Sequence, residues 1–307
     1  MRAVFQNTYG GPDVLQVGEQ PDPIVGPDTV LVRVRAAGVN PVDFKVREGY
    51  LQGAFPSFLP NIPGWDAAGV VEAVGPAVHD LAVGDEVLGY LRKDFVRDGT
   101  YAELVSGSSR HFALKPPGVS FEDAAALPLA GLTALQSLDA VRVAAGDTVL
   151  VHAAAGGVGH FAVQIAKARG ARVIGTAGEP NHEYLRSLGV EPVLYGEGLV
   201  DAVRALAPEG VDAAVDYVGG EAIRQSAELV KNVRRTASNV DPTLTAEVGG
   251  VYCFVVPHAL QLAQLVAMVD EGSIKINVQE TFPLERAADA HRLIEGGHVR
   301  GKLVITL

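Results

Sequence analysis

Cysteine is almost missing from this sequence: Cys253 stands alone among 307 residues. One thiol cannot build an internal disulfide framework, nor the Cys-rich zinc sites that need two to four thiolates. Positive charge is also scarce. Lys and Arg total 25 against 36 Asp and Glu, a net charge of −11, which argues against an electrostatic grip on nucleic acid or on an anionic membrane. Long apolar runs are absent. The longest, Ala124 to Leu135, covers 12 residues and contains Pro128, short of the roughly 20 needed to span a bilayer. The N-terminal MRAVFQNTYGG turns polar too early for a secretory leader. These absences lead to the expectation of a cytoplasmic protein with no nucleic-acid and no membrane partner.

What is present describes a globular chain. Apolar residues make up 48% and charged residues 20%, with 35 glycines and 18 prolines marking many tight turns. The length suits two domains, each with its own core.

The first third reads as strands. TVLVRVR (29–35) alternates with Val30, Val32 and Val34 on one side, and GVVEAVG (69–75) and DEVLGY (85–90) follow between turns. Short strands without helical patterns between them suggest an antiparallel, partly barrel-like unit. From about Phe121 helix and strand patterns alternate: helix 121–140, strand 148–152, helix 157–169, strand 172–176, helix 180–188, strand 193–195, helix 198–207 and strand 211–215. That β-α-β alternation implies a doubly wound parallel sheet, so the fold class is α/β. The end reads helix 259–270, strand 274–278, helix 285–295 and strand 302–306, with Gly296-Gly297 closing the last helix.

The motif with the clearest chemistry is HAAAGGVGH (152–160), between TVLV and FAVQIAKARGARVIGTA. A buried strand, a glycine turn, an amphipathic helix and a second strand within about 30 residues form the context of a dinucleotide site. Gly156, Gly157, Val158 and Gly159 form the turn expected at the pyrophosphate, where the helix N-terminus supplies free N–H donors. Aligned on its last glycine, the motif has Ala154 where G-x-G-x-x-G has its first glycine. The second strand ends at Ala177-Gly178 rather than at the acid that usually binds the ribose of NAD. His182 and Arg186 follow on the next helix as partners for a 2′-phosphate. NADPH is therefore the expected cofactor; Glu179, two residues late, keeps NADH as the alternative.

Taken together, GVNPVDFKVREG (38–49), PGWDAAGVVEAVG (63–75), VGDEVLGY (83–90), GTYAEL (99–104), LPLAGLTALQSL (127–138), HAAAGGVGHFAVQIAK (152–167) and GKLVITL (301–307) resemble the zinc-free quinone oxidoreductase branch of the medium-chain dehydrogenase/reductases. The segments span nearly the whole chain in the family's order. The resemblance implies a GroES-like β-rich catalytic domain (1–120), a Rossmann domain (121–257) and a C-terminal segment (258–307) returning to the first domain, with the cofactor in the cleft between them. It implies cofactor contacts from Thr133, from Tyr195 at the end of the third strand, from Tyr217-Val218 after the fourth, and from Phe254-Val255. By the same analogy the VYCFVV strand (251–256) pairs across a two-fold axis in a homodimer.

In the zinc enzymes of that superfamily a cysteine and a His-Glu pair help hold the metal. Here the matching positions are Asn40 and Trp65-Asp66, a poor donor set for zinc. The resemblance thus implies no metal. Trp65 is expected to form an apolar wall beside the nicotinamide, and Asp66 to fix local backbone. Hydride transfer without a Lewis acid needs an acceptor that is already electrophilic, a quinone or an α,β-unsaturated carbonyl. Asn40 and Tyr50 are the candidate hydrogen-bond donors to it, Asp43 is expected to order its loop, and no catalytic acid or base is assigned. The same cofactor motif also fits a redox sensor or partner-binding protein with little turnover, or an enoyl thioester reductase.

Overall fold

The computed structural model describes residues 1–307, which divide into two compact units. The first is built from Met1–Leu129, Pro257–Asp270 and Ile276–Leu307, the second from Ala130–Val256 and Glu271–Lys275.

The first unit is organised around the strand Thr29–Val39. One edge pairs antiparallel with Asp66–Val74; the other is shared end to end by Leu104–Ser108 and Lys302–Thr306. The sheet continues through Glu86–Tyr90 to Phe112–Leu114 on one side and to Val278–Pro283 on the other. The alternation is as the sequence pattern requires: Val30, Val32 and Val34 are buried while Arg33 and Arg35 face out. They pack with Val71, Val87, Val105, Phe282, Leu303 and Ile305, each such side chain stabilising the fold by about 1.5–3 kcal/mol. The helix Pro41–Arg47 follows the central strand. Its last residue, Arg47, is fully buried, with Nη1 2.5 Å from Glu295 Oε1, Nη2 2.8 Å from Glu48 Oε1 and Nε donating to Gly10 O at 2.8 Å. That anchorage fixes the segment that carries Asn40.

The second unit holds a six-stranded, wholly parallel sheet: Glu191–Val193, Arg172–Thr176, Thr148–Val151, Ala213–Asp216, Thr236–Ser238 and Val251–Tyr252, in that spatial order. Numbered along the chain this is 3-2-1-4-5-6, the Rossmann order. Leu150, Ile174, Leu199, Val203, Val211 and Ala214 form part of its core.

Several elements differ from the sequence reading. The helix expected over 121–140 is two, Phe121–Ala126 and Pro128–Ala140, because Pro128 has no N–H to continue the first and suits the start of the second. The third strand ends at Val193, so Tyr195 lies two residues beyond it. The VYCFVV strand is confined to Val251–Tyr252. The expected strand 274–278 instead begins at Val278 and runs to Pro283 against Lys302–Thr306. Upstream, Lys275 is tied to a side chain: its amide donates to Gln164 Oε1 at 2.8 Å, and Gln164 Nε2 donates back to its carbonyl at 3.0 Å. Helices Glu221–Leu229 and Pro242–Glu247 and the strand Thr236–Ser238 went unread.

Candidate active site

In the second unit the glycine turn is held by Thr176. Its carbonyl accepts from Ala154 N at 2.9 Å and its hydroxyl from Ala153 N at 3.1 Å. Ala153 takes a left-handed φ of 50°, and the helix Gly159–Ala168 starts directly on this bend. A Cβ on Gly159 would stand 2.1 Å from Ala153 O and 2.8 Å from Ala154 Cα, so only glycine fits. The amides of His160, Phe161 and Ala162 already donate to Gly156 O, Val158 O and Val158 O at 3.0–3.1 Å, so those of Gly157, Val158 and Gly159, at the positive end of the helix dipole, are the ones open to an anion. The deviation at Ala154 has a local explanation. A Cβ on Gly175 of the neighbouring strand would lie 2.7 Å from the Ala154 methyl, so Gly175 supplies the space that Ala154 occupies. The residues present therefore fit a dinucleotide pyrophosphate. His152, in contrast, is buried core. Its Nε2 lies 2.9 Å from Ser226 Oγ, and burial lowers the ring to about 4, leaving it neutral.

Two groups of sequence-predicted residues gather around this turn's sheet. Ala177 donates its amide to Val193 O at 3.0 Å, and its carbonyl lies 3.1 Å from His182 Nε2. A Cβ on Gly178 would lie 3.9 Å from the ring of Tyr195, which is largely exposed. Ala177, Gly178, His182 and Tyr195 thus form one cluster; Glu179 opens the 3-10 turn Glu179–Asn181 beside it, and Arg186 is exposed on the following helix.

The second group surrounds the helix Pro128–Ala140. Thr133 is fully buried on it, and Ser137, one turn on, bonds the Tyr217 hydroxyl at 2.7 Å. Burial raises the Tyr217 hydroxyl pKa, so it stays protonated. Gln136 clasps the segment after Phe254-Val255 twice: Nε2 donates to Val256 O at 2.9 Å and Oε1 accepts from Val256 N at 3.0 Å. Buried Asp216 shapes the Tyr217-Val218 turn, accepting from Val218 N, Gly219 N and Ser238 Oγ at 2.7–3.2 Å. Sequence reasoning missed Gln136, Ser137 and Asp216. The carboxylate ahead of a Gly-Gly turn was a signal for the last.

In the first unit, Asn40 and Asp66 meet in a buried polar cage. Asn40 Nδ2 donates to Asp66 Oδ2 at 2.9 Å, and Asp66 Oδ1 accepts from Leu129 N at 2.9 Å. The buried Lys302 ammonium donates to Asn40 Oδ1 and, at 3.0 Å, to Val39 O. Asp43 Oδ2 accepts from Asn40 N at 2.7 Å and from the Tyr101 hydroxyl at 3.0 Å, which orders the loop. Burial raises both carboxyls. Asp43 is pushed to about 7, and Asp66 to about 6, with Lys302, Asn40 and the Leu129 amide opposing the rise. Burial pulls the Lys302 ammonium down while Asp66 and Asp43 hold it up. Sequence reasoning missed Lys302 and Tyr101.

Trp65, next to Asp66, is nearly buried and packs between Phe55 and Tyr90, with ring centroids 6.1 and 6.3 Å apart. Arg92 lies over the Phe55 ring, 5.6 Å from its centroid. Tyr50 is not part of the cage; it lies 71% exposed in the loop after Pro41–Arg47.

This arrangement does not suit a zinc ion. No cluster of three or more His, Cys, Asp or Glu side chains is positioned to hold a metal. At Asn40 and Asp66 an ammonium already satisfies the amide oxygen, where a second cation would meet direct repulsion.

Two family descriptions match the chain: an alcohol dehydrogenase GroES-like domain over residues 26–121 and a zinc-binding dehydrogenase over 188–305. The chain is 35% identical over 317 residues to an NADPH-dependent alkenal/one oxidoreductase of Arabidopsis thaliana, covering 99% of this chain and 79% of that protein. The structure of a quinone oxidoreductase from Coxiella burnetii superposes with a TM-score of 0.90 at 35% identity, covering 100% of this chain and 99% of the other. A mycobacterial structure complexed with NADPH superposes with a TM-score of 0.86 at 30% identity, covering 100% of both chains. No helix is long and apolar enough to cross a membrane.

Proposed function

Because the chain belongs to the medium-chain dehydrogenase/reductase superfamily, in its zinc-free quinone oxidoreductase branch, we propose that it is an NADPH-dependent reductase of quinones and α,β-unsaturated carbonyls that works without a metal. The observation that carries this reading is the Lys302–Asn40–Asp66 cage, where an ammonium already satisfies the carboxamide oxygen at residues that the resemblance matches to metal ligands of the zinc enzymes. Without a Lewis acid the acceptor must bring its own electrophilicity.

When bound, the nicotinamide supplies the hydride. The turn at Gly156, Gly157, Val158 and Gly159 would hold the pyrophosphate with the amides of Gly157, Val158 and Gly159, since that of Gly156 donates to Ala153 O at 2.9 Å. Ala177 and Gly178 would leave space beside the adenosine ribose, which Tyr195 would flank, and Arg186 and His182 would be the hydrogen-bonding partners of a 2′-phosphate. Thr133, Tyr217, Val218, Phe254 and Val255 line the ribose and carboxamide of the nicotinamide half. Asn40 donates its free Nδ2 hydrogen to the acceptor carbonyl, and the indole of Trp65 keeps water from that oxygen, which strengthens the bond. Tyr50, at the exposed loop, contributes to the acceptor's outer edge.

The edge strand Val251–Tyr252, with exposed Val251, Tyr252 and Phe254 beside it, pairs with its copy in a homodimer, since an uncovered apolar edge invites association. The lone thiol suits a reducing compartment such as the cytoplasm.

The test is NADPH oxidation by chelator-treated protein with a small quinone and with an enone. Turnover with both, and none with simple ketones, is expected. Oxidation of a secondary alcohol with NADP⁺, enhanced by added zinc, would refute the reading.

A further inference from the structure

We propose that Lys302 is a positioning residue: it holds Asn40 in the one amide orientation that leaves an N–H free for the acceptor. This rests on the reading that Asn40 contacts the acceptor oxygen. An asparagine amide has two orientations of nearly equal shape, and only its hydrogen-bond partners choose between them. Here the choice is unambiguous. The oxygen faces the Lys302 ammonium and the nitrogen faces the Asp66 carboxylate at 2.9 Å. Rotating the amide by half a turn would set N–H against the ammonium and oxygen against the carboxylate, repulsive at both ends. Of the two Nδ2 hydrogens, Asp66 takes one and the other remains available.

Both clamps are fixed by the sheet. Lys302 begins the strand that pairs Leu303 with Val39, and its ammonium is held a second time by Val39 O. Asp66 begins the strand that pairs with Gly38, where a Cβ would stand 3.2 Å from Asp66 Oδ2 and 2.4 Å from Ala125 O. A side chain at residue 38 would displace the carboxylate from Asn40.

Lys302 also offsets charge. Hydride arrival places negative charge on the acceptor oxygen, next to an amide whose other hydrogen is held by a carboxylate. The groups facing Asp66 are Lys302, Asn40, Asp43 on the helix Pro41–Arg47, Tyr90 on the opposed strand, Tyr101 and the Leu129 amide. Lys302 is the one cation among them. Its removal frees the amide to flip and leaves Asp66 unbalanced.

The experiment is Lys302→Met in the full chain, measuring NADPH affinity by cofactor fluorescence, kcat/KM for an enone, and its pH profile. The expected result is a fall in kcat/KM of about a hundredfold, as for loss of a preorganised oxyanion donor, with NADPH affinity within about twofold of wild type. The acid limb should move to higher pH, because Asp66 loses the cation that favours its ionised form. Where Lys302→Met fails to fold, the double variant Lys302→Met/Asp66→Asn removes both charges and tests the same point: slow enone turnover with intact NADPH binding supports positioning. Wild-type turnover in either folded variant, with an unmoved acid limb in Lys302→Met, would overturn it. Asn40→Ala separates the two layers. Unchanged enone kcat/KM in Asn40→Ala refutes the acceptor contact itself, whereas a slow Asn40→Ala beside a fast Lys302→Met refutes only the role of Lys302.

Discussion

Gly159→Ala acts on the tightest backbone contact of the glycine turn. The added methyl would stand 2.1 Å from Ala153 O, 2.8 Å from Ala153 C and 2.8 Å from Ala154 Cα. All three are backbone atoms and cannot rotate away. Reaching ordinary contact near 3.4 Å moves the helix start off the turn by about 1.3 Å, enough to carry a phosphate hydrogen bond past the roughly 3.2 Å limit. Hydrogen bonds to a charged group contribute about 1.5–3 kcal/mol each, so losing one or two weakens NADPH binding by about a hundredfold. The forced overlap also costs about 1–3 kcal/mol of stability. Gly156→Ala is the control. Its methyl would lie 3.2 Å from Ala153 O and 3.9 Å from Ala153 Cβ, an overlap of a few tenths of an ångström, and its loss should stay below about tenfold. The assay is a fluorescence titration with NADPH beside thermal unfolding. NADPH binding by Gly159→Ala within threefold of wild type, with an unchanged Tm, would refute the placement of the pyrophosphate on this turn.

Other outcomes follow from the same geometry. Burial holds the Asp43 carboxyl at about 7 in the fold against an ordinary 3.8. Between about pH 4 and 7 the folded protein therefore keeps a proton that the unfolded chain has lost, so wild-type stability from this group falls as pH rises and levels off above 7. Asp43→Asn removes that dependence while its oxygen still accepts from Asn40 N and Tyr101; urea unfolding should show the variant gaining on wild type from pH 4 to 7, and parallel curves would contradict this. Trp65→Phe shrinks the wall between Phe55 and Tyr90 and should raise the acceptor KM several-fold, with NADPH affinity unchanged in titration. Tyr252→Asp puts a charge on the edge strand and should convert a dimer to a monomer in sedimentation velocity.

Much of the fold was legible because its signals are local. The strict alternation of TVLVRVR is read within one strand, and the strand–turn–helix–strand run from Thr148 to Thr176 within about 30 neighbouring residues; the strand Arg172–Thr176 and the helix Ala259–Asp270 fall where the pattern sets them. The strand Thr236–Ser238 was illegible since three small residues carry no periodicity, and only pairing with Ala213–Asp216 and Val251–Tyr252 makes them a strand. The polar cage was half legible. Asn40 and Trp65-Asp66 stood out by type, but a lysine opening a C-terminal strand reads as a solvated end. Its partner lies 262 residues away, and no sequence pattern reports that distance closing. His182 shows the same limit in reverse: its place on the helix was visible, its bond to the Ala177 carbonyl was not.

Hydride transfer to an electrophilic carbon without a metal leaves a label at one defined atom of the product. The most direct measurement is the fate of deuterium from NADPH labelled at C4, followed by mass spectrometry and NMR during enone reduction by chelator-treated protein. Deuterium is expected at the β-carbon of a saturated ketone. Deuterium at the carbinol carbon of an allylic alcohol would contradict it, because the carbonyl itself would then be the acceptor.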